Sequence, residues 1–321
     1  MPLNKKVFIG IDGGGTKTVG LICNENGVIL SKSVAGSTNV KSRPEEEVRS
    51  AIHHVMSELM LGVKEGELSG VFVSTAGGDR EEDQLRWKKW LTEVLPGFTG
   101  GLEVRNDAYG AMASGTFSME GTVLIAGTGS IAYALDTNGS RRAGGWGYLF
   151  GDEGSGYDIG QHALRTVAMM HDGRANVDEA FCREVLSFLT LKSAPDMITA
   201  IYEDPYARMK IASVAEVVIG LAENQNQTAL GLVQHAFQKL RGLIDAIEVQ
   251  SGRLVVCGGL MQSPFFREGF LEEVKKSGSN VFFPTLSPAV GACICALILN
   301  GEPITEERKA NLLSSYHVMS G

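Results

Sequence analysis

Residues 7–18 read Val-Phe-Ile-Gly-Ile-Asp-Gly-Gly-Gly-Thr-Lys-Thr, an apolar strand that ends in a carboxylate and three glycines. Glycine has no Cβ, so the chain can turn tightly here and bring backbone N–H groups close to an anion. Thr16 and Lys17 add a hydroxyl and an ammonium group, and Asp12 is placed to hold Mg²⁺, usually through water. The stretch predicts a nucleotide phosphate site, although an ordinary glycine-rich hairpin turn has the same pattern.

Two other phosphate motifs are absent from the sequence. Neither G-x-x-x-x-G-K-[ST] nor G-x-G-x-x-G occurs, which excludes a P-loop and the dinucleotide-binding fingerprint.

Composition narrows the classes of partner. The 321 residues are 44% hydrophobic and carry a formal net charge of −8, which argues against nucleic acid or an anionic membrane as a bulk partner.

The five cysteines have no zinc-type spacing, and reduced thiols fit a cytoplasmic protein. We expect no signal peptide, and the apolar run near residues 281–301 is too short to span a bilayer.

The predicted elements repeat along the chain. Residues 7–105 follow the order β-β-β-α-β-α-β, and the same order restarts at Gly121 with a helical insertion over about 155–250. We therefore predict an α/β protein with an N-terminal domain over 1–117 and a C-terminal domain over 118–301. A C-terminal helix over 302–317 is a candidate to pack on the first domain. Two such halves are expected to face each other across a cleft, where small molecules commonly bind.

Five short motifs carry a resemblance to a known superfamily. They are Asp12-Gly-Gly-Gly-Thr-Lys-Thr18, Asn106-Asp107, Gly127-Thr-Gly-Ser130, Gly144-Gly-Trp-Gly-Tyr-Leu-Phe-Gly-Asp-Glu-Gly-Ser-Gly156 and Val256-Cys-Gly-Gly259. In this order they resemble the sugar kinase–Hsp70–actin ATPases, and within them the group that contains N-acetylglucosamine kinase and the BadF/BadG activator ATPases. The resemblance implies two ribonuclease H-like (actin-like ATPase) domains.

The resemblance also implies ATP and Mg²⁺ as cofactors and assigns their contacts. Asp12 would position Mg²⁺, the first and third motifs would contact phosphates, and Val255–Gly259 would contact adenosine. The implied nucleotide contacts are Asp12, Gly14, Gly15, Thr16, Lys17, Thr128, Gly129, Ala212, Ser213, Gly258 and Gly259, of which Ala212 and Ser213 rest on the loosest match.

Asp107 is the predicted catalytic base. Phosphoryl transfer to an alcohol needs positioning, charge neutralisation and a group that accepts the hydroxyl proton. By position alone, Asp107 reads equally well as the N-cap of the following helix. The resemblance favours the base, because the matching carboxylate has that role in the family.

The implied sugar contacts fall on both halves of the chain. The face of Trp146 can pack on a sugar ring, and the carboxylate of Asp152 can accept two hydroxyl hydrogen bonds. Trp146 could instead fill a domain interface, and Asp152 could be an N-cap. The full set of implied sugar contacts is Asn39, Gly77, Gly78, Asn106, Asp107, Ser130, Gly145, Trp146, Gly147 and Asp152.

Three functions follow from this resemblance. The first is an ATP-dependent kinase of the 6-hydroxyl of an amino sugar, with N-acetylglucosamine ahead of glucosamine and N-acetylmuramic acid. The second is a BadF-type activator ATPase for a dehydratase or reductase, although no cysteine lies near Gly127–Ser130. The third is a non-catalytic sugar sensor. The expected partner is a small amino sugar. The sequence does not decide whether the protein forms a homodimer.

Overall fold

The computed structural model describes residues 6–39, 43–64, 66–136, 138–247, 252–275 and 278–320. The chain divides into two compact units. The first unit comprises Met1–Met119 and Phe283–Gly321, and the second comprises Glu120–Phe282.

The first unit contains a five-stranded mixed sheet in the order β3-β2-β1-β4-β5. The first three strands pair antiparallel, and β4 and β5 continue parallel to β1. The strands are β1 (Val7–Gly13), β2 (Lys17–Asn24), β3 (Ile29–Gly36), β4 (Leu68–Thr75) and β5 (Gly101–Asn106). The glycine turn joins β1 to β2, and the backbone N–H of Gly14 closes it by donating to the carbonyl oxygen of Lys17 at 3.0 Å.

One helix follows each of β3, β4 and β5 along the chain. These helices are α1 (Glu45–Leu59), α2 (Glu81–Val94) and α3 (Asp107–Thr116). The buried residues of α1 recur at helical spacing, so one stripe of the helix packs on the sheet while its charged residues face solvent. This stripe joins Trp87, Trp90 and Leu91 of α2 in one apolar cluster with the strands.

The second unit repeats the sheet of the first. Its strand order is β10-β9-β6-β7-β8, again with three antiparallel strands followed by two parallel ones. The strands are β6 (Gly121–Ala126), β7 (Ser130–Leu135), β8 (Ser140–Gly144), β9 (Arg253–Cys257) and β10 (Asn280–Phe282). The predicted repeat of an actin-like ATPase domain is therefore confirmed.

The predicted helical insertion is present between β8 and β9. It consists of α4 (Gly156–His171), α5 (Glu179–Phe188), α6 (Asp196–Tyr202), α7 (Ala207–Glu223) and α8 (Gln227–Ile247), and α9 (Pro264–Lys275) follows β9. Helices α4 and α7 approach closely at Gly160, where a Cβ would lie 1.9 Å from the carbonyl oxygen of Ile211.

The chain then returns to the first unit, which corrects the predicted second domain over 118–301. Helix α10 (Pro288–Leu299) packs on β1, where a Cβ at Gly10 would lie 2.2 Å from the backbone nitrogen of Cys293. The helix is buried on nearly all sides, so its apolar pattern fitted either unit equally well. Helix α11 (Glu306–Ser320) also belongs to the first unit, where Arg308 donates to the carbonyl oxygen of Glu25 at 2.6 Å.

Within the described ranges, every helix is either too short or too polar to cross a bilayer.

Candidate active site

The glycine turn of the first unit is held by hydroxyl groups that donate to its carbonyl oxygens. The carbonyl oxygen of Gly13 accepts from the Thr75 hydroxyl at 3.1 Å, and that of Gly14 accepts from the Ser37 hydroxyl at 3.1 Å. A Cβ at Gly13 would lie 2.7 Å from Oγ1 of Thr75, so a larger residue would displace the hydroxyl that donates to the turn. These bonds use the inner side of the turn.

The outer side of the turn faces solvent. Gly15, Thr16 and Lys17 are exposed, and Gly14 is half-buried. The predicted phosphate-contacting residues of the first unit are therefore accessible together. Asn39 lies beside them, because its Nδ2 is 3.9 Å from the place a Cβ on Gly15 would take.

Asp12 ends the strand that leads into this turn and is partly buried. Burial and, next, the nearby carboxylate of Asp107 raise the pKa of Asp12 to about 6, against the opposing charge of Lys17. A carboxylate in this state is stabilised by an added cation, and carboxylate oxygens are ligands that Mg²⁺ prefers. Asp12 therefore fits the predicted role of holding Mg²⁺.

Asn106, rather than Asp107, caps helix α3. Its side-chain oxygen accepts the backbone N–H of Ala108 at 3.1 Å, and its Nδ2 donates to Oδ1 of Asp79 at 2.9 Å. The N-cap alternative for Asp107 is therefore wrong. Burial and, next, the charge of Asp79 raise the pKa of Asp107 to about 6, and hydrogen bonds from the backbone N–H groups of Asp107 and Ala108 oppose the shift.

Gly77 and Gly78 let the chain turn beside the end of β5. Gly77 has a φ of 88°, in the left-handed region that favours glycine. A Cβ at Gly78 would lie 2.6 Å from the carbonyl oxygen of Arg105, one residue before Asn106. In the first unit the C-terminal ends of β1, β4 and β5 are therefore neighbours. Asp12, Asp107 and the two glycines lie at this end of the sheet.

The matching turn of the second unit, Gly127–Gly129, joins β6 to β7 and contacts the first residues of helix α4. The backbone N–H of Gly156 donates to the carbonyl oxygen of Gly127 at 2.7 Å, and that of Tyr157 donates to Thr128 at 3.3 Å. These bonds fix the turn and leave the Thr128 side chain exposed.

A cavity of about 690 Å³ opens beside this turn within the second unit. Four of the predicted nucleotide contacts line it: Thr128, Ala212, Ser213 and Gly259. Gly129 and Gly258 do not. Gly258 has a φ of 107°, and a Cβ there would lie 2.3 Å from the carbonyl oxygen of Ala126, so this glycine lets two strands approach.

The cavity also has lining residues that the sequence prediction missed. Met209 lies three residues before Ala212 on α7, and Glu216 lies four residues after it. Gln262 lies three residues after Gly259. Helical spacing from Ala212 would have found Glu216, because residues four apart share a face.

Asp152 is buried in the second unit and paired with a cation. Its Oδ2 lies 3.1 Å from Nη2 of Arg208, and a Cβ at Gly129 would lie 2.8 Å from the same oxygen. The N-cap alternative is wrong, because the Ser155 side chain caps α4 by accepting from the N–H of Asp158. Sequence spacing gave no sign of Arg208, which is 56 residues away.

The other predicted sugar contacts of this unit have different surroundings. The Ser130 hydroxyl is buried and donates to the carbonyl oxygen of Glu153 at 2.7 Å, so its hydrogen is used within the protein. Gly145 and Gly147 have positive φ values of 67° and 88°. Between them, the side chain of Trp146 is 62% exposed and lies under the Arg142 guanidinium, 4.9 Å from ring centre to Cζ.

These two repeated units, each with a glycine turn between its first two strands, define an ATPase of the actin-like and sugar-kinase fold. The chain belongs to the BadF/BadG/BcrA/BcrD ATPase family, whose sequence profile matches residues 9–296.

Several sugar kinases are similar to this chain over 80–92% of its length. An N-acetylmuramic acid/N-acetylglucosamine kinase of Clostridium acetobutylicum is 34% identical over 80% of this chain and 86% of its own length. An N-acetyl-D-glucosamine kinase of Dictyostelium discoideum is 31% identical over 92% and 99%. A crystal structure of a candidate N-acetylglucosamine kinase from Chromobacterium violaceum is 25% identical, with a TM-score of 0.64 over 92% of this chain and 100% of that one.

Proposed function

We propose that this protein is an ATP-dependent kinase that phosphorylates the 6-hydroxyl of an amino sugar, with N-acetylglucosamine as the first candidate. The observation that carries the proposal is the carboxylate of Asp107. Asn106 caps α3, so the Asp107 carboxylate is not needed as the cap. Asp107 is partly buried and lies at the same end of the sheet as Asp12 and the exposed glycine turn. The names of the similar kinases support the substrate class.

Asp107 acts as the base in this proposal. Its ionised carboxylate accepts the proton of the sugar hydroxyl as the oxygen forms a bond to the γ-phosphorus of ATP and the bond to the β-phosphate oxygen breaks. Products are the sugar phosphate and ADP. A pKa of about 6 leaves Asp107 mostly ionised at neutral pH and closer to the working pH than an ordinary aspartate.

The glycine turns supply the phosphate contacts. Backbone N–H groups of an exposed glycine turn and the Thr16 and Lys17 side chains suit the phosphates of ATP. Asp12 would hold Mg²⁺, which neutralises charge on the transferring phosphoryl group. The cavity beside Thr128 supports binding of the adenosine part, because its lining mixes apolar side chains with Ser213, Glu216 and Gln262.

An ADP-release assay with a panel of sugars tests the proposal. N-acetylglucosamine, glucosamine, N-acetylmuramic acid and glucose are each supplied with ATP and Mg²⁺. We expect the highest kcat/KM on an amino sugar. The 6-deoxy form of that sugar is the matched control and should bind without ADP release. ADP release with none of the amino sugars would overturn the proposal.

We also propose the cytoplasm as its compartment, because a kinase of this kind draws on the cytoplasmic ATP pool. Light scattering during size-exclusion chromatography, with and without the sugar, tests whether the protein is a homodimer.

A further inference from the structure

Three potential metal ligands meet on one face of the helical insertion. Asp158 and His162 lie one turn apart on α4, and His235 lies on α8. One ligand atom from each residue lies within 4.8 Å of the other two. Residues four apart on a helix share a face, so this arrangement needs only the side-by-side packing of two helices.

The carboxylate of Asp158 is oriented by the backbone. Its Oδ2 accepts the N–H of Gly154 at 2.9 Å, and its Oδ1 lies 3.2 Å from Nδ1 of His162. One oxygen is therefore anchored, and the other faces the imidazole. This places a negative charge beside two potential nitrogen ligands.

The two imidazoles are also held in position. Nδ1 of His162 lies 2.9 Å from the backbone carbonyl oxygen of Asp158. A carbonyl oxygen only accepts hydrogen bonds, so Nδ1 is the donor. An imidazole that donates from one nitrogen keeps a lone pair on the other, as metal-binding histidines commonly do. The ring of His235 lies 5.0 Å from that of His162, centre to centre.

Access from solvent also favours an ion at this place. The side chain of His162 is 31% exposed, so an ion can enter from solvent.

We propose that Asp158, His162 and His235 form a binding site for a divalent transition-metal ion such as Zn²⁺. Two imidazoles and a carboxylate suit Zn²⁺, and water completes such a site. Ligands of a tetrahedral zinc ion lie about 3.3 Å apart, so no two of the three ligand atoms need to approach by more than about 1.5 Å on binding.

The site joins helix α4 to helix α8, which pack against each other. The first residues of α4, Gly156 and Tyr157, donate to the turn that contains Thr128. An ion that ties α4 to α8 therefore steadies the helix that supports this turn. The proposal concerns binding of the metal and does not rest on the proposed kinase activity.

Calorimetric titration of the full chain with ZnCl₂, without nucleotide, tests the site. We expect one ion per chain, and an affinity at least about tenfold weaker in His162→Gln and in His235→Gln. His171→Gln is the matched control, because His171 is exposed at the end of the same helix. It should bind Zn²⁺ as the unchanged protein does.

A second measurement guards against misfolded variants. Co²⁺ added to the unchanged protein should give the visible absorption of a low-symmetry nitrogen and oxygen site, and one equivalent of Zn²⁺ should remove it. The proposal would be overturned if the unchanged protein did not bind Zn²⁺. It would also be overturned if both histidine variants, with native circular dichroism, bound Zn²⁺ as tightly as the unchanged protein.

Discussion

Nη2 of Arg208 lies 3.1 Å from Oδ2 of Asp152, and this pair joins helix α7 to the loop that precedes α4. Asp152 is buried, whereas the Arg208 side chain is 44% exposed and covers the ring of Tyr148, 5.3 Å from ring centre to Cζ. The carboxylate proposed to contact the sugar is thus held by the same helix that lines the cavity beside Thr128.

Removing Arg208 should therefore destabilise the protein through Asp152. Arg208→Met leaves a buried carboxylate without its cation, and we expect the free energy of unfolding to fall by about 1–3 kcal/mol, less than for a fully buried pair. Urea denaturation measures it. Adding Asp152→Asn should restore part of the loss, and a strictly additive double variant would contradict the coupling.

Asp107→Asn should abolish most of the turnover and keep sugar binding. The amide cannot accept the hydroxyl proton, so kcat should fall by about 10²–10⁴. Calorimetry with the sugar should give an unchanged affinity within a few fold. Asp172→Asn, at an exposed carboxylate that ends α4, is the control and should keep full activity. Turnover that survives in Asp107→Asn would show that another group is the base.

The raised pKa of Asp107 makes a prediction about stability. The folded protein holds this proton more tightly than the unfolded chain, so the favourable contribution is complete below the ordinary value of 3.8 and is lost as the pH rises through about 6. Asp107→Asn does not ionise. It should gain about 1–3 kcal/mol relative to the unchanged protein between about pH 4 and pH 7. A difference in unfolding free energy that is constant with pH would contradict the shift.

Filling the cavity of the second unit should weaken ATP binding. Ala212→Phe places a ring where four predicted nucleotide contacts meet, and we expect the KM for ATP to rise at least about tenfold with little change in the KM for sugar. The same substitution at Ala310, which is exposed on α11, should leave both KM values unchanged. An unaltered KM for ATP in Ala212→Phe would place the nucleotide elsewhere.

The contact between α4 and α7 should tolerate no side chain at Gly160. A Cβ would lie 1.9 Å from a backbone oxygen, and backbone cannot move aside cheaply, so Gly160→Ala should cost about 1–3 kcal/mol. Gly231→Ala on α8 is the matched control. No described atom outside its own helix lies within 4 Å of the place that a Cβ would take there, so alanine should stabilise the protein by about 0.5–1 kcal/mol. Equal melting of both variants would contradict the packing argument.

Local patterns predicted most of the architecture. The strands on either side of Gly13–Thr16 and Gly127–Gly129 alternate or run apolar, and their repeat indicated two units of the same fold. The glycine motifs also placed Thr128 and Gly259 beside one cavity. These signals are local, because turns and strand periodicity depend on neighbouring residues.

Partnerships between distant residues were not predictable in the same way. The apolar pattern of α10 indicates burial on every side but does not identify its partner. Asp152 meets Arg208 across 56 residues, and no spacing rule connects them. The N-cap alternatives weighed for Asp107 and Asp152 lie one and three residues away from the true caps, Asn106 and Ser155, because several polar residues at each helix start are equally good caps.

The return of α10 to β1 sets an order for folding during synthesis. Residues of the second unit form one continuous stretch, whereas the first unit needs Pro288–Leu299 to cover the face of β1 that contains Gly10. The strands of the first unit, made before the second unit, therefore wait for a helix made after it, with an apolar sheet face uncovered in the meantime. The first unit is interrupted by the second and completed after it, so its N-terminal segment depends on protection while the ribosome is still at work.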